Sequence, residues 1–145
     1  MQIEIRAASI KDAAAICKLN KSEMGYDFSL EDTEKKLCQL LNNGSNRILV
    51  AVAYKEVVGY VHANDYDLLY APPMKNIMGI AVYSVWQKQG IGSMLLDEIE
   101  RWACETNAVA IRLVSGESRN KAHAFYEACG YIYGKKQLNF KKELT

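Results

Sequence analysis

The stretch 80–96, IAVYSVWQKQGIGSMLL, decides how the chain is read. Its first residues are a short β-rich apolar run, its middle holds Gly90 and Gly92, and its end begins a helical pattern. A strand that passes through a glycine turn directly into a helix leaves the first helical N–H groups without internal partners, at the positive end of the helix dipole. An anion fits such a place. Two familiar phosphate loops fail on their letters. A Walker loop needs Gly-Lys-Ser/Thr where this chain has Gly92-Ser93-Met94, and a dinucleotide fingerprint needs Gly or Ala where Leu95 stands. What remains is Gln87-x-x-Gly90-x-Gly92.

Outward from this turn, apolar spacing predicts a helix over 92–107 with Leu95, Leu96, Ile99, Trp102 and Ala103 buried, then a strand over 109–115. A helix over 120–129 follows, closed by Gly130 at C′, and then a hairpin over 131–142. Upstream, alternation at 3–6 predicts a strand, and Ser9 with Asp12 resembles a capping box for a helix to about Asn20. A second cap at Ser29 opens a helix whose Leu30, Thr33, Leu37, Leu40 and Leu41 share a face expected to be core, stopped by Asn42-Asn43-Gly44. Runs at 48–53 and 57–63 form a hairpin, 64–75 is the longest irregular segment, and 76–82 is a strand. The order is βααβββαβαββ. A strand–helix–strand unit requires a parallel neighbour and the hairpins require antiparallel ones, so an α/β fold with a mixed sheet is expected.

The length of 145 residues suits one domain, 1–145, and 18 basic against 17 acidic residues give a net charge of +1. No basic stripe suggests nucleic acid, and the Lys135-Lys136 and Lys141-Lys142 pairs are too small for one. No apolar run nears the roughly 18 residues of a membrane span, and the first residues build no signal-peptide core. A soluble cytoplasmic protein is expected. Cys17, Cys38, Cys104 and Cys129 form no C-x-x-C pair and read as reduced thiols packed as small core residues. His62 and His123 form no metal motif, so no metal is expected.

Gln87-x-x-Gly90-x-Gly92, between strand and helix, resembles the acetyl-CoA signature of the GCN5-related N-acetyltransferase superfamily, and the resemblance returns in AHAFYEACGY at 122–131. The element order is similar to that family's over nearly the whole chain. The resemblance implies acetyl-CoA as co-substrate, with the backbone of Gln87, Lys88, Gln89, Gly90, Ile91, Gly92 and Ser93 on the pyrophosphate. Ile80, Ala81 and Val82 would pair with the pantetheine arm as an added strand would, and a bulge near Ala81 or Val82 would aim an N–H at the thioester oxygen. Asn120, Ala122 and Phe125 are carried over as further CoA contacts. Arg119 stands where many members have Asn, and it touches either CoA or only its own helix start. Tyr126 matches the family's general acid to the departing thiolate. His123 is a base or a packed capping residue, and Tyr83 and Trp86 line the pantetheine slot or belong to the core.

The acceptor side is walled in the family by the segment between the first two helices, the loop entering the central strand and the last hairpin. Glu23, Asp65, Tyr66 and Asp67 fall there, and their carboxylates would favour a cationic amine. Three functions stay open: acetylation of a primary amine on a small molecule, acetylation of a protein or peptide, and a catalytically silent acyl-CoA-binding module. The family also allows a homodimer.

Overall fold

The protein is described by a computed structural model over residues 2–145. Two compact units divide it, one ending at Leu113 and the other Val114–Thr145. The first contains β1 (Ile3–Ala7), α1 (Ala13–Met24), α2 (Leu30–Leu41), β2 (Asn46–Ala53), β3 (Glu56–Tyr66), β4 (Met74–Val82), α3 (Ile91–Glu105) and β5 (Ala110–Arg112). The sheet order is β1-β2-β3-β4-β5, antiparallel except for the parallel pair β4–β5 that α3 bridges. This is the expected mixed α/β sheet.

Alternation along the strands sorts the first unit's core into two layers. Ile48, Val50, Tyr60 and Ala81 join Ala13, Ile16, Leu19 and Leu37 from α1 and α2 in one cluster. The α3 helix packs against β1 to β5 and buries Ile91, Leu95, Leu96, Ile99, Trp102 and Ala103, the expected face. Below it Lys75, only 4% exposed, lies between the Asp65 carboxylate at 2.5 Å and the Trp102 ring at 3.8 Å. A buried ammonium is tolerated there because carboxylate and ring face together replace its water.

Local signals placed most element starts correctly. The Ser29 hydroxyl accepts the Asp32 N–H at 3.0 Å, as its sequence predicts. Asp12 reaches back to the Ser9 N–H at 2.8 Å and receives both Arg6 nitrogens at 2.8 and 2.9 Å, heading a short 3₁₀ turn that leads into α1. That helix continues past Asn20 to Met24, since no breaker precedes Gly25. On α2, Thr33 and Leu37 are buried, but Leu30 and Leu41 are exposed, so the core stripe is narrower than expected. Cys38 and Cys104 are exposed and Cys17 and Cys129 half-buried, so none of the four is a core residue.

Strand ends departed further from expectation. β3 runs to Tyr66 and β4 starts at Met74, so the irregular segment shrinks to residues 67–73. β5 keeps only three of the seven residues expected for it. Pairing of β3 with β4 steps from His62–Gly79 to Ala63–Ile77, which leaves Met78 as an extra residue, and a bulge of this kind bends and twists its strand. Pairing of β4 with β5 covers Met74–Asn76 and ends two residues before that bulge.

In the second unit α4 (Asn120–Ala128) ends as expected, with Gly130 at φ +93° and the Tyr131 N–H donating to the Tyr126 carbonyl at 2.9 Å. No strand forms over 131–142, and Ile132, Leu138 and Phe140 are exposed. A lone two-stranded hairpin is marginal in water, so alternation without a partner sheet does not make a ladder.

Two stability predictions follow from this packing. A Cβ at Gly59 would stand 2.9 Å from the Ala81 carbonyl oxygen and 3.0 Å from Val82 Cγ2, both on the paired strand. Gly59→Ala should therefore cost about 1–3 kcal/mol, seen in calorimetry as a Tm lower by roughly 3–10 °C. Burial pushes the Asp12 carboxyl up, but Arg6 and the Ser9 N–H outweigh it and hold it below the usual value. Its contribution is present above the unfolded pKa of about 3.9 and is lost as pH falls through the lower folded value. Urea midpoints of Asp12→Asn, followed from pH 6 to pH 2, should show a shallower acid decline than the parent.

Candidate functional site

β4 ends in a turn built to hold its shape. The Tyr83 N–H donates to the Val58 carbonyl at 3.0 Å, residues 84–86 make a 3₁₀ turn, and Trp86 lies 6.0 Å from the Tyr54 ring at the tip of the β2–β3 hairpin. The Gln87 side chain donates to the Val82 carbonyl at 2.9 Å, tying the turn to the strand it leaves. Lys88 and Gly90 both adopt left-handed backbone, φ +63° and +82°, and α3 begins at once. A Cβ at Gly90 would meet no protein atom within 4 Å, so the constraint there is the backbone angle and whatever occupies the space outside. Gly90 offers no side-chain cap and the first turn of α3 carries no acid, leaving the positive helix end without a local competitor. The Gln87 N–H is already spent on the Ser84 carbonyl at 3.2 Å, so the donors that face outward begin after it.

Ile80, Ala81 and Val82 pair with β3 on one side only. Because β5 pairs with β4 over Met74–Asn76 alone, the opposite edge of β4 beyond Asn76 carries no strand among the described residues. Ala81 belongs to the α1/α2 core, while Ile80 and Val82 are half-buried. The bulge expected near Ala81 or Val82 lies instead at Met78, at the start of this open edge. It is displaced because the extra residue must fall where pairing with β3 shifts, opposite His62 and Ala63, and not where Gly59 fits tightly against Val82.

The face of the sheet that carries α1 and α2 becomes polar toward the bulge. Tyr60 donates to Asn20 Oδ1 at 2.5 Å, and burial, against that hydrogen bond, pushes its phenol up to about 12. Gly79 lies beside it, and a Cβ there would stand 3.4 Å from the Tyr60 hydroxyl. Burial pushes the His62 imidazole below its ordinary pKa, and the ring shares a 2.8 Å hydrogen bond with Asn46. A cavity of about 180 Å³ lined by Ile16, Phe28, Leu37, Tyr60 and His62 opens on this face, room for a few ligand atoms. Further along, Arg112 Nη1 donates to Asn76 Oδ1 at 2.5 Å and its guanidinium lies 4.2 Å over the Tyr66 ring.

The four residues expected at the acceptor wall separate here. Tyr66 lies on the polar face under Arg112. Asp65 lies on the opposite face, paired with Lys75 beneath Trp102. Glu23, near the end of α1, accepts the Ser84 hydroxyl at 2.7 Å and so braces the turn after β4. Asp67 is exposed in the 67–73 loop. Asn76, Met78 and Arg112 do not stand out along the chain, because their grouping depends on cross-strand register.

In the second unit Tyr126 is half-buried, with the Phe125 ring at 5.3 Å and the Tyr131 ring at 6.0 Å. Burial pushes its phenol up, and the nearby Arg119 charge offsets part of that. Arg119 starts α4 without a side-chain cap, Asn120 is the first helical residue, and Ala122 and Phe125 are half-buried. The His123 ring meets the Gly116 carbonyl at 2.9 Å. Among the described residues no three His, Cys, Asp or Glu side chains gather as a metal site, and no helix is long and apolar enough to cross a membrane.

Solved structures of other proteins share this fold. A transcriptional regulator from Bacillus halodurans superposes with a TM-score of 0.87 at 21% identity, covering 97% of this chain and 100% of that one. An aminoglycoside 6'-N-acetyltransferase from Acinetobacter baumannii gives 0.86 at 17% identity over 99% and 100%. AAC(6')-Iy bound to the bisubstrate analog CoA-S-monomethyl-acetylneamine gives 0.86 at 15% identity over 99% of both chains. No curated protein sequence matches. The model of the acetyltransferase (GNAT) family matches residues 13–131, which span the turn before α3, the open edge of β4 and α4, and the chain belongs to that family.

Proposed function

We propose that the chain transfers the acetyl group of acetyl-CoA to a primary amine of a small molecule, with residues 1–145 working as one acetyltransferase domain. The observation that carries this reading is the unpaired edge of β4, which leads from the bulge at Met78 to an acid-free helix N-terminus. A linear amide-bearing arm pairs with such an edge as an extra strand, and a diphosphate at its end meets the N–H groups of residues 88–93. Lys88 adds a positive charge beside them. The residues therefore fit the co-substrate by shape and by charge.

Acetyl-CoA supplies an activated thioester. The chain's own part begins with the bulge, where Met78 stands outside the β3–β4 register and its N–H would bind the carbonyl oxygen as it gains charge. An acceptor amine with a pKa near 10.4 costs roughly 5 kcal/mol to present unprotonated at neutral pH, so a desolvated, polar face beside the bulge favours attack. Tyr126 gives the proton to the departing sulfur. Its raised pKa keeps the phenol protonated through the neutral range, so its loss as an acid falls only in the alkaline range, above the ordinary tyrosine value.

Thiol release from acetyl-CoA with a panel of amines tests the reaction, and calorimetry with coenzyme A tests the binding that must precede it. No uptake of coenzyme A would overturn the proposal. Tyr126→Phe should lower kcat by roughly 10²- to 10⁴-fold and leave coenzyme A affinity unchanged; an unaltered kcat removes the acid role. Gly90→Val, which forces a β-branched side chain into left-handed backbone, should weaken coenzyme A binding at least tenfold, roughly 1.4 kcal/mol. Gln89→Ala, changing a side chain and no backbone donor, should bind as the parent does.

A further inference from the structure

We infer that the acceptor carries a carboxylate as well as its amine, and that Arg112 recognises that carboxylate; the inference rests on the acetyltransferase reading above. Arg112 is half-buried on the polar face of the sheet, in register with Asn76 of β4. One of its nitrogens is held by Asn76 Oδ1 and its plane is set by the Tyr66 ring. Among the described residues no carboxylate forms an ion pair with it, whereas Arg6 and Arg101 have one and Arg47 and Arg119 do not. A guanidinium whose orientation is fixed by an amide and an aromatic ring, with its remaining donors unspent, is arranged for a planar, two-oxygen anion.

The same face holds the reacting end. The Asn76 amide also donates to Met78 Sδ at 2.9 Å, so the bulge residue lies on the side where Arg112 is anchored. Two residues of strand separate Asn76 from Met78, about 6–7 Å. An acceptor that spans this distance has its amine and carboxylate some five or six bonds apart, as at a lysine ε-amine or the N-terminus of a dipeptide. His62, neutral, and Asn64 continue the face without adding a negative charge.

One carboxylate that would welcome a polycation is neutralised away from this face, and another is tied to the turn after β4. Asp65 neutralises buried Lys75 on the other side of the sheet, and Glu23 receives the Ser84 hydroxyl. With Asp65 on the other face and the Arg112 guanidinium on this one, the polar face holds a positive charge where a polyamine or aminoglycoside would need a negative one.

The test uses the full chain, with thiol release from acetyl-CoA measured for Nα-acetyl-lysine against its amide, glycylglycine against glycylglycinamide, and sisomicin. The acids should exceed their amides in kcat/KM by about 10- to 100-fold. Arg112→Gln should raise KM for the acids by that factor, leave kcat and the amides nearly unchanged, and bind coenzyme A as the parent does. Arg112→Lys, keeping the charge but not the fork, should fall between. Equal use of acids and amides, a preference for sisomicin, or an equal loss for acids and amides in Arg112→Gln would overturn the inference. Coenzyme A binding without turnover of either acid also counts against it and leaves the acetyltransferase reading standing. Absence of coenzyme A binding would overturn both.

Discussion

The register of β3 against β4 governs the functional half of the molecule. Gly59 has no room for a side chain against Ala81 and Val82, which pins one end of the pairing. The other end is pinned where Lys75 meets Asp65 under Trp102. Between those fixed points β4 is one residue longer than β3, and Met78 takes up the difference. A slip of one residue would reverse the faces of every side chain beyond it, turning Lys75 toward the polar side and Asn76 into the core. The bulge is thus where two tight constraints of unequal length are reconciled, and the departure of β5 and the exposed edge of β4 go with it.

What the sequence disclosed was what neighbours along the chain determine. The strand–turn–helix at 80–96, the cap at Ser29, the buried stripe of α3 and the close of α4 at Gly130 all depend on residues within a few positions of one another. Strand length was misjudged where polar residues continue a strand. Asn64, Asp65 and Tyr66 resemble a loop by composition, yet Asp65 is carried into β3 by its ion pair and its two neighbours lie on an open face. The hairpin expected over 131–142 failed for the opposite reason, since alternation was present without a sheet to join.

The site was legible in part for the same reason. The turn and its glycines are local, and so is the environment of Tyr126, which sits between Phe125 and Tyr131. The polar face of the sheet is not local. Arg112, Asn76 and Tyr66 come from three strands, and only the pairing of Asn76 with Arg112 and the stacking of Arg112 on Tyr66 bring them together. Asp65, attractive as a lone acid in the sequence, is consumed by a lysine ten positions on.

The two tryptophans divide the molecule in a way that spectroscopy can use. Trp102 is buried in the core between Arg47 and Lys75, whereas Trp86 is half-buried in the turn that leads to α3, against Tyr54. Their intrinsic emission consequently carries two separable signals. One indole, flanked by fixed cations, responds when the interior is lost. The other answers to its surroundings in the turn, so the chain contains two internal optical probes, one of the core and one of the turn, with no dye attached.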